Sequence, residues 1–235
     1  MVGSHPMFKW LVIGLVAVIA VAVGAWWFEV NRTESALLAQ PVYRVLKQHN
    51  RPLFQDLFEK YRLYQRGEES HERFVNFANA EISKAATISL GRASQDSVLA
   101  LVGDMVTTAK KLQASPDDAC FRFWFPNVAG APDVAASLDA SSQARTLDLM
   151  ADVIRSAADN PAPPPDAESV RINLANVVNA IYEQYGTDAQ MLAHADDPRA
   201  DRSRVCTITI SLYERILQLP PAEASDLIRT MAPTG

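Results

Sequence analysis

Glycine is scarce in this chain, with nine among 235 residues. Tight turns at strand ends and phosphate-cradling loops need glycine where the backbone turns left-handed or approaches a ligand closely. Its scarcity argues against barrels, sandwiches and nucleotide-binding loops. Cysteine is rarer still, Cys120 and Cys206 alone. That excludes a disulfide-dense scaffold and paired-cysteine zinc motifs. No cysteine lies near the end of the N-terminal apolar run, which argues against a lipoprotein. No fixed-period repeat runs through it, which argues against a solenoid.

Recognisable chemistry is missing as well. There is no nucleophile elbow, phosphate loop or dinucleotide fingerprint. His71-Glu72 opens a metalloprotease pattern, but position 75 is Val where the second histidine is needed. His194 with Asp196 and Asp197 is the other His/carboxylate cluster. Arg199, Asp201, Arg202 and Arg204 surround it, and arginines compete with a metal for the acids. No metal and no cofactor are expected, and no catalytic residue can be named.

Lysine stops at Lys111. From Pro41 to Lys111 there are eleven Lys and Arg against eight Asp and Glu, a net of +3. From Leu112 to Gly235 there are nine Arg against seventeen Asp and Glu, a net of −8. The whole chain carries −5, which does not suit nucleic acid. The acidic half is either a solvated surface or a face for a cationic partner. Its wealth of Ala, Arg and Asp has the character of a GC-rich bacterial genome.

What is present begins with Trp10 to Phe28, nineteen residues without a charge. As a helix they span roughly 28 Å, about the hydrocarbon thickness of a bilayer. Trp10 stands at one end and Trp26, Trp27 and Phe28 at the other, the amphipathic aromatics that membrane interfaces favour. A cleaved signal peptide is the rival reading, with Val23-Gly24-Ala25 as the cleavage site. The run exceeds the usual signal core of about 7–15 residues, and three bulky aromatics follow the site, so an uncleaved anchor fits better. Lys9 precedes the span, while Glu29, Arg32 and Glu34 follow it. The positive-inside rule then puts the N-terminus in and the domain out, in the periplasm. Met1 to Pro6 reads as a cloning scar or an upstream start.

The rest reads as helices. Phe54, Leu57, Phe58, Tyr61 and Tyr64 follow the 3–4 spacing of one helical face, and Gly67 stops it. Phe74, Phe77, Ala78, Ile82 and Ala85 make a second stripe. Ser94 caps a third with Val98, Val102, Met105, Val106, Ala109 and Leu112. Ser115-Pro116-Asp117-Asp118 opens a short helix carrying Cys120, which must end before Pro126. Asp139 caps a helix facing inward with Leu147, Met150, Ile154 and Ala158. Asn160-Pro-Ala-Pro-Pro-Pro165 is an extended, semi-rigid connector. After it Val170, Leu174, Val177, Val178, Ile181 and Tyr185 form a stripe ended by Gly186. The last long helix, about Arg199 to Leu219, carries Val205, Ile208, Leu212, Ile216 and Leu219. Its β-branched run 206–210 could form a strand, but a lone strand has nothing to pair with. Pro220-Pro221 starts a final short helix.

The chain therefore reads as a single-pass protein of a bacterial inner membrane. A short cytoplasmic N-terminus (1–8) leads to a transmembrane helix (9–28) and a juxtamembrane linker (29–40). An all-α, bundle-like periplasmic domain of about eight or nine helices follows (41–235). In an oxidising compartment Cys120 and Cys206 are expected to pair; otherwise they are two buried thiols. Phe121, Phe123, Trp124 and Phe125 exceed what one short helix buries against one core. Some of them are expected to anchor a protein partner, with Asp196 and Asp197 steering it. The expected function is non-enzymatic binding of another protein, besides the bilayer held by the anchor. An immunity protein against a periplasm-acting toxin is one form, a scaffold or accessory subunit of an envelope assembly another. The alternative is an envelope hydrolase using carboxylates that no motif singles out. Oligomeric state has no signal here.

Overall fold

Pro41, Pro52, Pro126 and Pro221 each sit in the first turn of a helix, where a missing N–H goes unnoticed. Punctuation of this kind sets most element boundaries. The structure, a computed structural model, describes residues 32–115, 118–130, 132 and 138–232. Every regular element among them is helical. The segment read as the anchor, with Trp10, Trp26, Trp27 and Phe28, lies outside the described residues. Among the described residues no helix is long and apolar enough to cross a membrane.

After a helical stretch at 32–37 the order is α1 (Pro41–His49), α2 (Arg51–Gln65), α3 (His71–Leu90), α4 (Gln95–Leu112), α5 (Ala119–Trp124) and α6 (Pro126–Ala129). Then come α7 (Ala140–Asp159), α8 (Ala167–Tyr185), a 3-10 segment (Gly186–His194), α9 (Arg202–Leu217) and α10 (Pro221–Met231). These ten α-helices, among the described residues, exceed the eight or nine read from the sequence. The excess comes from short pieces such as α6, which Pro126 starts afresh. The run 206–210 is helical, inside α9.

The chain forms two compact units, divided within α3 between Ala78 and Asn79. In the first, Val42, Leu46, Phe54, Leu57 and Phe74 are buried. Rings from α2 meet the start of α3: Tyr61 and Phe74 centroids lie 5.3 Å apart, and Tyr64 stacks on Phe74 at 5.9 Å. Gly67, at φ 75°, makes the reversal between them, a conformation most side chains avoid. Burial, helped by the charge of Tyr61, pushes the Tyr43 hydroxyl up to about 12.

In the second unit four helices are capped alike. Ser94, Asp139, Asp166 and Asp201 each accept the backbone N–H three residues on. The main core joins Val98, Val102, Val153, Val177, Ile216 and Leu227. Helix α9 packs against α4, α5, α8, α10 and the 3-10 segment. It buries Val205, Cys206, Ile208, Thr209, Ile210 and Ile216, more than one stripe, because it has neighbours on several sides. Thr209 survives there by donating its hydroxyl to the Val205 carbonyl at 2.8 Å.

Two faces differ from their sequence reading. On α7 the buried residues are Ala151, Val153, Ile154 and Ala157. Leu147 and Met150 are half-buried and Ala158 is exposed, so the inner face is turned toward the small residues. On α8, Val170, Val177 and Ile181 are buried, but Leu174 is 40 % exposed. The buried three share a narrow arc at i, i+7 and i+11, and Leu174 falls to one side of it.

One polar cluster holds this unit together. The Arg229 side chain is 5 % exposed. Its Nε donates to the Gly91 carbonyl and its Nη2 to the Ala162 carbonyl, both at 3.3 Å, with a further contact from Nη2 to the Pro163 carbonyl. Nη1 meets Asp226 at 3.2 Å. Beside it the Ala162 N–H donates to the Arg92 carbonyl at 2.8 Å. One guanidinium thus joins the α3–α4 turn, the proline connector and α10. Arg229→Met keeps the apolar stem and strips the donors, so it should destabilise this unit by about 3 kcal/mol in urea titration. Arg229→Lys should recover less than half of that, because an ammonium lacks the planar fork. An Arg229→Met protein as stable as the wild type would show that the cluster contributes nothing net.

Candidate functional site

Helix α5 is six residues long and carries three of the four clustered rings. It sits as a wedge between two apolar clusters. On one side Phe121, 1 % exposed, packs with Ala195 and Val205, and with Phe125, Met191 and Leu192 at the margin. Phe121 and Phe125, one helical turn apart, stack at 5.0 Å. On the other side Phe123 and Trp124 pack against a cluster containing Val106, Leu112 and Ile210. Trp124 lies flat on Tyr213 at 4.7 Å, with 7° between the planes. Two receiving surfaces solve the problem that one core could not.

Cys120 belongs to the second of these clusters, together with Cys206 of α9. Cys120 and Cys206 are at disulfide distance, with Cα atoms 5.9 Å apart, inside the usual window for a bridge. The entry to α5 is fixed twice more. The Asp118 carboxylate accepts from Arg202 at 3.3 Å, and the Arg202 guanidinium stands 5.2 Å from the Phe121 ring centre. Asp118 itself holds φ 55°, the one non-glycine positive φ among the described residues. Past the segment, Arg122 Nε donates to the Gly130 carbonyl at 3.2 Å and closes the α5–α6 turn.

The predicted site residues therefore separate. Phe121 is core. Phe123, Trp124 and Phe125 are half-buried. The Trp124 Nε1 is buried and has no hydrogen-bond partner among the described residues. Asp196 and Asp197 directly follow Ala195, which belongs to the same apolar cluster as Phe121, so the acids and the aromatic segment lie in one region. Asp196 is exposed. Asp197 accepts the Arg199 backbone N–H at 2.9 Å and the guanidinium through both oxygens, at 3.1 and 2.9 Å. The Arg199 guanidinium holds the Asp197 carboxyl below the usual range.

No protein-family model, curated protein or solved structure matches the chain. Any functional reading therefore rests on this surface and its chemistry.

The other displaced carboxyls are also pushed down. Hydrogen bonds from Ser141 and Ser142 hold Asp139 well below its ordinary value, and Arg171 holds Glu168 down. These are a helix cap and a surface pair, the reverse of the raised carboxyl that a general acid needs. Among the described residues no group of three or more His, Cys, Asp or Glu is placed to hold a metal ion.

Sequence reasoning missed one apolar feature. Leu174, Val178 and Tyr182, spaced i, i+4 and i+8 on α8, reach the surface at its flank; Leu174 is 40 % and Tyr182 43 % exposed. The regular stripe read from the sequence hid it, since spacing does not tell which residues find a neighbour.

The bridge predicts a measurable state. Protein from an oxidising compartment should show no free thiol before reduction and two after it, by alkylation and intact mass. Cys206→Ser should lower stability by at least about 2 kcal/mol, given the long loop closed. Two free thiols in the native protein would remove this staple from the account.

Proposed function

We propose that this chain is a membrane-tethered helical domain that acts by binding another protein at the outer face of a bacterial inner membrane. The supporting observation is the α5 segment: a short aromatic helix anchored by a buried Phe121, a cysteine pair at disulfide distance and an ion pair, with Phe123, Trp124 and Phe125 half-buried beside them. Rigid presentation lowers the entropy lost on docking, and large aromatics dominate binding energy at interfaces. The tether reading rests on the uncharged run Trp10–Phe28 with its aromatic ends. An immunity protein against a periplasm-acting toxin needs this combination, as does an accessory subunit or scaffold of an envelope assembly. A hydrolase gains no support from carboxyls displaced downward.

The tether is tested by washing membranes in high salt and carbonate. The full-length protein should stay in the pellet; a soluble form starting near Trp26 would mean a cleaved signal.

The docking reading is tested with the full-length protein in detergent, used to retain a partner identified by mass spectrometry. Phe123→Ala should weaken that complex by about 2 kcal/mol with the helical signal unchanged. Phe121→Ala should instead cost roughly 3–5 kcal/mol of fold stability. Asp196→Asn should slow association at low salt more than Asp197→Asn, because Arg199 already offsets Asp197. A complex indifferent to Phe123, Trp124 and Phe125 would move the binding face elsewhere.

A further inference from the structure

The proline connector 160–166 is the one segment singled out by the sequence that the α5 reading leaves unused. Its prolines, at 161, 163, 164 and 165, each fix φ at about −65°. A residue that precedes a proline is pushed to extended backbone. Exposure then follows a pattern. Pro161 is exposed, Ala162 half-buried, Pro163 and Pro164 exposed, Pro165 half-buried and Asp166 exposed. The period is three, the repeat of a polyproline II helix. Ala162 and Pro165 face the domain. Pro161 and Pro164 share an outer ridge, about 9 Å apart at the rise of that helix.

The inward side is tied down. Arg229 takes the carbonyls of Ala162 and Pro163, and the Ala162 N–H is held by the Arg92 carbonyl. Burying a cation is costly, and this one turns its Nη2 to the connector while Nε and Nη1 meet Gly91 and Asp226. The connector is therefore fixed in register while its ridge stays outside. A peptide already extended and anchored loses little freedom on binding.

We propose that Pro161–Pro164 is a preorganised polyproline II ligand that docks into an aromatic-lined groove on a partner protein. Stacked rings receive such a ridge because proline offers a rigid apolar face and no N–H. Arg92, exposed at the same turn, suits a groove with an acidic rim. The surface is separate from the α5 rings and does not depend on them.

The test uses the full chain in membranes of its own cells. A photo-reactive benzoylphenylalanine replaces Arg92 or, as a control, Glu183 at the opposite end of α8. The expected result is a protein adduct from position 92 and not from 183, joined at a peptide containing Trp or Tyr. Pro161→Ala with Pro164→Ala should lower its yield at least fivefold while melting moves by no more than a few degrees. The single Pro164→Ser repeats the comparison with less perturbation. No adduct at 92, an equal adduct at 183, or a yield unchanged by these substitutions overturns the proposal. A complex that needs Phe123 but ignores the prolines would sink this proposal and leave the α5 reading standing.

Discussion

A charged group inside a helical core is the constraint on which the second unit depends. Arg229 shares a face of α10 with Ser225, four residues before it and likewise buried, so α10 cannot seat that face without drawing the guanidinium inward. Left unpaired, that charge would outweigh the burial it accompanies. It is tolerated because backbone carbonyls of two irregular segments, at Gly91 and at Ala162–Pro163, meet its donors while Asp226 balances the charge. Those carbonyls lie where the chain leaves α3 and α7, outside any helical ladder, so they too need donors. The arginine and the loops each answer the other's unmet requirement.

From that junction the packing of the unit follows. The connector between α7 and α8 is pinned to the α3–α4 turn, which fixes where α8 begins. Helix α8 then lies along α9 and α10, and α9 becomes the element with neighbours on most sides. A helix so placed buries more than one stripe, and Ile208, Thr209 and Ile210, three successive buried residues, supply the extra breadth. The α5 wedge is fastened to the start of α9 by Cys206, Arg202 and the Phe121–Val205 contact. Helix α10, which carries Arg229, also packs on α9.

Charge plays a smaller part than composition suggests. Many acids of the second half are committed locally: Asp139, Asp166 and Asp201 as caps, and Asp152, Glu168, Asp188 and Asp197 to arginines. Exposed pairs of this kind contribute little stability. They also shrink the acidic field that the net charge of the segment implies, so a partner steered by electrostatics meets a patchwork.

Much of this architecture was legible beforehand. Caps at Ser94 and Asp139, first-turn prolines, and stops at Gly67 and Gly186 act within a few residues, so sequence determines them by itself. So does the helical rather than extended state of 206–210, since a strand needs a partner and no other segment offered one. That Cys120 and Cys206 come within disulfide distance accords with their being the two cysteines of the chain. Tertiary structure alone decided the rest: that Phe121 is buried while Phe123, Trp124 and Phe125 stay half-buried, that Leu174 leaves a stripe it seemed to belong to, and that Arg229 is buried. Spacing fixes which residues share a helix face, through a geometry of 3.6 residues per turn. Which face is covered, and by what, depends on segments distant in the chain, and no local periodicity encodes them.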